Sequence, residues 1–337
     1  MRGFSRKFKY GFVVTALLLS VWTAVFAQIE PPAKPARPQP HAAPAMSTGV
    51  GTFEKSINVD ASVNLSLCVT QGNLKVNGWN RNEVRVFVEN GPKFDFIVQQ
   101  KNTKTGDPVW IMLTSANSGK TNTGQQNECI SGDIVEIDVP ANATVNVKGQ
   151  ETTTVIDGVR RVGVKNAGGD ITLRNIKNGI TAATYRGDLT VEESAGAMNL
   201  ETTNGNILVF EAAPSEIGDI FKVKTTSGAI SLQKLGYRQV ESNSISGTMM
   251  FGGELLSGGS YSFVTSNGTI RLAIPPNSSS NIFASYGFGN FNSEIPIKTI
   301  TEDIHPGPVK NLNGSMGSGD ATLRITTNNG SIFIKKL

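Results

Sequence analysis

Residues 163–210 read GVKNAGGDITLRNIKNGITAATYRGDLTVEESAGAMNLETTNGNILVF, and one short phrase returns in them at a fixed interval. Gly169, Gly187 and Gly205 lie 18 residues apart. Each precedes a polar residue and then an alternating apolar pair: Ile171 and Leu173, Leu189 and Val191, Ile207 and Val209. Gly179 and Gly196 fall between them. A steady internal period of this length marks a repeat architecture. Alternate side chains of a strand face opposite sides, so Ile171 and Leu173 point inward while Thr172 and Arg174 point out. Glycine at a corner takes positive φ at little steric cost. Asn or Asp beside it, as at Asn178-Gly179 and Asn204-Gly205, also tolerates left-handed backbone. One such unit makes two strands and two corners and cannot bury its apolar side alone. Stacked units can, which is a β-solenoid. A sandwich of hairpins also fits turn signals about every 8–12 residues, but recurrence of the same residue types in phase favours the solenoid.

The phase continues with looser spacing. Gly228 follows Gly205 by 23 residues, Gly247 comes 19 later and Gly268 another 21 later, each before an alternating apolar run. Gly319-Asp320 and Gly330-Ser331 introduce the last two such runs, Ala321–Ile325 and Ile332–Ile334. Surplus residues in a repeat are expected as loops on one face. The expected fold is therefore all-β, a β-solenoid (β-helix-like) of about 18–20-residue coils over residues 140–337. Its repeat corners are Gly169, Gly187, Gly205, Gly228, Gly247, Gly268 and Gly330. Residues 51–139 are β-rich without the beat, although Gly72-Asn73-Leu74-Lys75-Val76-Asn77-Gly78-Trp79 carries the corner phrase once. They are expected to form an N-terminal cap over the open solenoid end. Residues 51–337 as one continuous domain is the alternative.

The first 27 residues have the layout of a signal peptide. Arg2, Arg6, Lys7 and Lys9 precede an apolar run from Phe12 to Phe26, and Val25-Phe26-Ala27 offers a small-residue cleavage site. The run is shorter than the roughly 20 residues of a spanning helix. An exported product (periplasmic, cell-surface or secreted) without an integral membrane span is expected, with retention of the segment as an anchor the alternative. The formal charge of +4 comes from this segment: without its four basic residues, 27 Lys and Arg face 27 Asp and Glu. The charge thus gives no reason for a nucleic-acid partner. Residues 28–50 form a Pro/Ala-rich spacer suited to extended backbone.

Together, Gly72–Trp79 with Glu83-Val84-Arg85-Val86, Ile137-Asp138-Val139-Pro140, Gly169-Asp170-Ile171, Gly228-Ala229-Ile230 and the closing Gly319-Asp320 and Asn329-Gly330-Ser331-Ile332 resemble the bacterial envelope family known as "putative adhesins". The resemblance covers roughly residues 50–337. It implies an exported β-strand-repeat protein carrying a domain of unknown function, and it brings no functional residues with it.

Cys68 and Cys129 are the only cysteines. Behind an export signal they are expected to bridge, with two separate thiols the alternative. The two histidines, His41 and His305, are too few for a Ser-His-Asp triad, an HExxH site or a zinc centre. Gly-Asp pairs at 132–133, 169–170, 187–188 and 319–320 invite a calcium reading, but Asn206, Ala229, Thr248 and Thr269 interrupt the acids. They read better as corners. Asp170 and Asp188 lie one coil apart and are the candidates if a glycosidase pair exists. Residues 282–291 concentrate aromatics that either plug the core or present a platform. Asn204, Asn206 and Asn267 suit a polar outer face. No cofactor or metal is expected. The expected function is non-enzymatic, adhesin-like binding or scaffolding toward an unknown envelope protein or glycan. A carbohydrate-active β-helix enzyme and an envelope-stress sensing partner protein are the alternatives.

Overall fold

The computed structural model describes residues 50–116, 129–303 and 309–337, and every regular element among them is a strand. The signal, His41, His305 and all of the spacer except Val50, which opens the first strand, lie outside the described residues. The chain opens with β1 (Val50–Asn58), β2 (Asn64–Trp79), β3 (Glu83–Pro92), β4 (Phe94–Lys101), β5 (Pro108–Ser115) and β6 (Ile134–Pro140). Next come β7 (Thr144–Asp157), β8 (Arg161–Gly168), β9 (Ile171–Arg174), β10 (Ile180–Arg186), β11 (Leu189–Ala195), β12 (Met198–Asn204) and β13 (Ile207–Ala213). The beat continues through β14 (Phe221–Ser227), β15 (Ile230–Leu235), β16 (Gln239–Ser246), β17 (Met249–Gly252), β18 (Ser260–Asn267) and β19 (Ile270–Ile274). The last six are β20 (Ser280–Phe288), β21 (Phe291–Ser293), β22 (Lys298–Asp303), β23 (Lys310–Met316), β24 (Ala321–Asn329) and β25 (Ile332–Lys336).

Each coil gives one strand to each of two parallel stacks. The front stack runs β8, β10, β12, β14, β16, β18. The back stack runs β9, β11, β13, β15, β17, β19. Ile171, Leu189, Ile207, Ile230, Met249 and Ile270 fall in one register column and are buried, as the glycine phase requires. Val162, Ile180, Met198, Phe221, Val240 and Tyr261 form the matching front column. Each buried apolar side chain contributes about 1.5–3 kcal/mol, so the core is a sum along the axis. Coils longer than the basic unit place their surplus where the back stack returns to the front, at residues 214–220 and 253–259. The front-to-back corners between paired strands stay short throughout.

Chain order and rung order part company at both ends. β2 lies on β7 along its whole length, from Asn64↔Thr144 to Asn77↔Asp157. On its other side β5 and β6 each cover one half. Parallel stacking therefore begins at β2, inside the stretch assigned to a cap from sequence. Antiparallel strands close this end, with β3 on β6, β1 on β3 and β4 on β5. At the other end β24 lies between β18 and β20, and β25 between β19 and β21. The C-terminal coil thus enters a slot left one rung back. β23 then covers β20 in antiparallel fashion, and β22 pairs in turn with β23, which hides a parallel edge that could otherwise recruit another chain.

The front-to-back corner has a shared cause beyond φ. Gly169 and Gly187 are left-handed at 96° and 140°, but Gly205, Gly268 and Gly330 are not in that range. What unites them is approach: a Cβ on Gly205, Gly228, Gly247, Gly268 or Gly330 would collide with the backbone carbonyl oxygen of the corner glycine one rung below. That oxygen has an assigned donor. Thr184 Oγ1 donates to Gly169 O at 3.2 Å, Thr202 to Gly187 O at 3.0 Å, Thr225 to Gly205 O at 3.2 Å and Thr327 to Gly268 O at 2.9 Å. These threonines are buried in the core. Thr202→Val keeps the shape and removes the donor, so stability should fall by about 1–2 kcal/mol. The denaturation midpoint checks this, and no change would remove the role given to the hydroxyl.

Candidate functional site

Asp170 and Asp188 occupy the position just after the corner glycine on adjacent rungs. Asp188 N donates to Asp170 Oδ1 at 2.8 Å, and Asn206 N donates to Asp188 Oδ1 at 2.7 Å. Ala229 N continues the series on Asn206 Oδ1 at 2.9 Å. These side chains carry the corner upward from rung to rung. Asp133 accepts from Asn90 Nδ2 at 2.9 Å, and Asp320 stands at the opposite, back-to-front edge before β24. The four Gly-Asp pairs therefore do not converge. Among the described residues no three His, Cys, Asp or Glu side chains group as a metal site. Asn267 accepts from Asn329 Nδ2 at 2.6 Å on the polar corner ladder that also includes Asn204. In the aromatic stretch, Ile282, Ala284 and Tyr286 fill the core, while Phe283 and Phe288 are exposed.

A groove of about 760 Å³ lies on the outer face of the front stack, across its first rungs. One register column along it is Met112, Ser66, Asn146, Gly163 and Thr181. Gly163 carries no side chain in this column, and the Asn146 amide leans over it, with Oδ1 2.7 Å from where a Cβ would lie. The next column is Cys68, Lys148, Lys165 and Ala183. Arg161 and Asn178 form the wall toward the back-to-front edge, with Arg161 Nε donating to Asn178 O at 3.1 Å. Beside the groove on β5, Trp110 is 47% exposed, its Nε1 donating at 3.4 Å to the Oγ of Ser66, which lines the groove.

Cys68 and Cys129 form a disulfide and line the same groove. With the two cysteines 61 positions apart in sequence, chain-entropy arithmetic puts the bridge at about 4 kcal/mol. Reduction is expected to lower the denaturation midpoint by a corresponding amount. Equal midpoints with and without reductant would mean that the bridge does not restrain the unfolded chain.

The groove differs electrostatically from the rest of the solenoid. Elsewhere, cations on the faces meet a carboxylate on a neighbouring rung: Arg174 with Glu192 at 2.7 Å, Lys222 with Glu241 at 3.0 Å, Lys224 with Glu201 at 3.1 Å. Lys148 and Lys165 instead stand beside each other, and among the described residues no carboxylate lines the groove. A second groove of about 780 Å³ lies on the back stack near Gly252 and Ala273. Two of its three cations among the described residues are engaged: Lys234 pairs with Glu211 at 3.6 Å and sits over Phe210, and Arg271 sits over Phe333, while Lys335 has Ala273 rather than a second lysine as its register partner. The lysine pair was missed from sequence, although Val145-Asn146-Val147-Lys148 and Val162-Gly163-Val164-Lys165 display it.

No curated protein matches the chain. Three solved structures are similar to it at low identity. A "putative adhesin" from Bacteroides fragilis has 11% identity over 85% of this chain and 97% of that one, with a TM-score of 0.39. A "putative adhesin" from Parabacteroides distasonis has 12% identity over 86% and 98%, with a TM-score of 0.28. A "putative cell adhesion protein" from Clostridium sporogenes has 11% over 85% and 100%, with a TM-score of 0.25. The family model described as Toastrack DUF4097 matches residues 55–335, from β1 to β25, and the chain belongs to that family, a domain of unknown function.

Proposed function

We propose that the chain is an exported, non-enzymatic envelope protein that binds or scaffolds a partner through its front stack. The groove across β5, β2, β7, β8 and β10 carries this reading. It is the place where paired strands, a disulfide and two lysines without a carboxylate partner among the described residues meet. Export is supported by the basic and apolar layout of residues 1–27 and by the disulfide, which persists in an oxidising compartment. The carboxylates nearest to a glycosidase pair, Asp170 and Asp188, already accept backbone N–H groups at the corner. The test is a glycan array run beside a reducing-sugar release assay on the exported chain. Binding without release, diminished by Thr181→Trp in the groove, is expected. Sugar release abolished by Asp170→Asn or Asp188→Asn would overturn the non-enzymatic reading. No binding by any glycan or envelope fraction would overturn the binding reading.

A further inference from the structure

We propose that the front groove takes an acidic polysaccharide, with uronate carboxylates held by Lys148 and Lys165 and a sugar ring stacked on Trp110. This deepens the binding role just proposed and rests on it.

The first observation is a pair of like charges. Lys148 and Lys165 are exposed register partners on adjacent parallel strands, one rung apart. Like charges placed side by side in a sheet are unfavourable. Several other face cations have a cross-rung carboxylate, as at Lys224–Glu201, but among the described residues this pair has none. The neighbours in their column are Cys68 and Ala183, neither of which carries a charge. An arriving anion relieves the repulsion, so the pair favours a charged ligand over a neutral one.

The second observation selects a glycan over an acidic peptide. An indole 47% exposed on a sheet face is a flat apolar platform, and Trp110 is tied by its Nε1 to Ser66 on the groove floor. Pyranose rings present a face of C–H groups that packs on such a surface, and an aromatic ring loses little freedom in receiving it.

The test uses the full chain with polygalacturonate as probe, and neutral dextran and polyglutamate as comparators, in calorimetric titration at two salt concentrations. Polygalacturonate should bind and weaken with added salt. Lys148→Gln with Lys165→Gln should weaken it about 10-fold or more, as should Trp110→Ala. Lys335→Gln, on the back stack, should leave it unchanged. Thermal melting separates a ligand role from a structural one: the double lysine variant should melt at or above the parent temperature because a repulsion is gone. A clearly lower melting temperature would show that the lysines serve the fold and would overturn the proposal. Polyglutamate binding as tight as polygalacturonate would overturn the glycan assignment. Neutral glycans binding in the groove without polygalacturonate would overturn the acidic class while leaving the general binding role in place. Failure of every probe, on the array as well, would remove both.

Discussion

A chain ending at Gly319 is expected to lose cooperative folding rather than shed one rung. The missing residues would be β24 and β25, which lie inside the stack between the β18/β19 and β20/β21 rungs. Leu323, Ile325, Ile332 and Ile334 are essentially fully buried there. At about 1.5–3 kcal/mol each, their burial is comparable to the whole net stability of an ordinary domain. Two facing parallel edges would also open, each a template for another chain. Circular dichroism, size exclusion and denaturant titration should show an aggregating product with no single transition. A peptide of residues 320–337 supplied during refolding should restore the transition, because the slot and its register remain specified by β18 and β20. A truncated chain that melts cooperatively within a few degrees of the intact one would mean that the C-terminal coil does not complete the stack.

The middle of the solenoid was legible because a single constraint, the corner glycine, repeats in phase with an inward apolar pair. Ile171, Leu189 and Ile207 stack as their spacing dictates. The ends were not legible in the same way. A repeat signal follows chain order, whereas β2 stacks on β7 after four intervening strands and β24 enters a slot left behind by the chain. Long-range register of that kind leaves no local period. The buried threonines were readable but unread: Thr184, Thr202, Thr225, Thr265 and Thr327 each stand three residues before a corner glycine. A polar residue at an inward position looks like a break in the apolar pattern until the carbonyl it serves is visible. Another column is invisible to propensity. Asn175, Glu193, Glu211 and Lys234 share left-handed backbone, with φ of 53°, 47°, 60° and 55°, and only the asparagine is a residue type that commonly does so. The candidate groove shows the same divide. Its lysines appear in a local VxVK repeat, but their lack of a carboxylate partner is a property of neighbouring rungs.

Gly205→Ala should be among the most costly single methyl additions in the chain, and the reason is steric contact without φ strain. Gly205 lies outside the left-handed range, so alanine could adopt its backbone conformation in isolation. The added Cβ would strike the carbonyl oxygen of Gly187 and lie 3.1 Å from Thr202 Oγ1. That oxygen cannot swing aside freely, because Thr202 donates to it at 3.0 Å from inside the core. Nor can the rung slide: Gly205 N donates to Ser227 O above, and Gly187 N donates to Asn204 O. Relief therefore requires separating two rungs that are paired along both stacks, a cost of about 3 kcal/mol or more by the usual range for overpacked, backbone-limited sites. Gly252→Ala is the matched control. It stands on the same solenoid with nothing within 4 Å of the Cβ position and no left-handed φ, so its effect should be near zero or slightly stabilising through the unfolded chain. Denaturant midpoints of the two variants decide the matter. A wide gap is expected between them, and if Gly205→Ala proved as mild as Gly252→Ala, the corner column would owe its glycines to turn conformation alone. The rungs would then have slack at the corner, and the threonine hydroxyls beneath it would be filling space rather than holding a carbonyl in place.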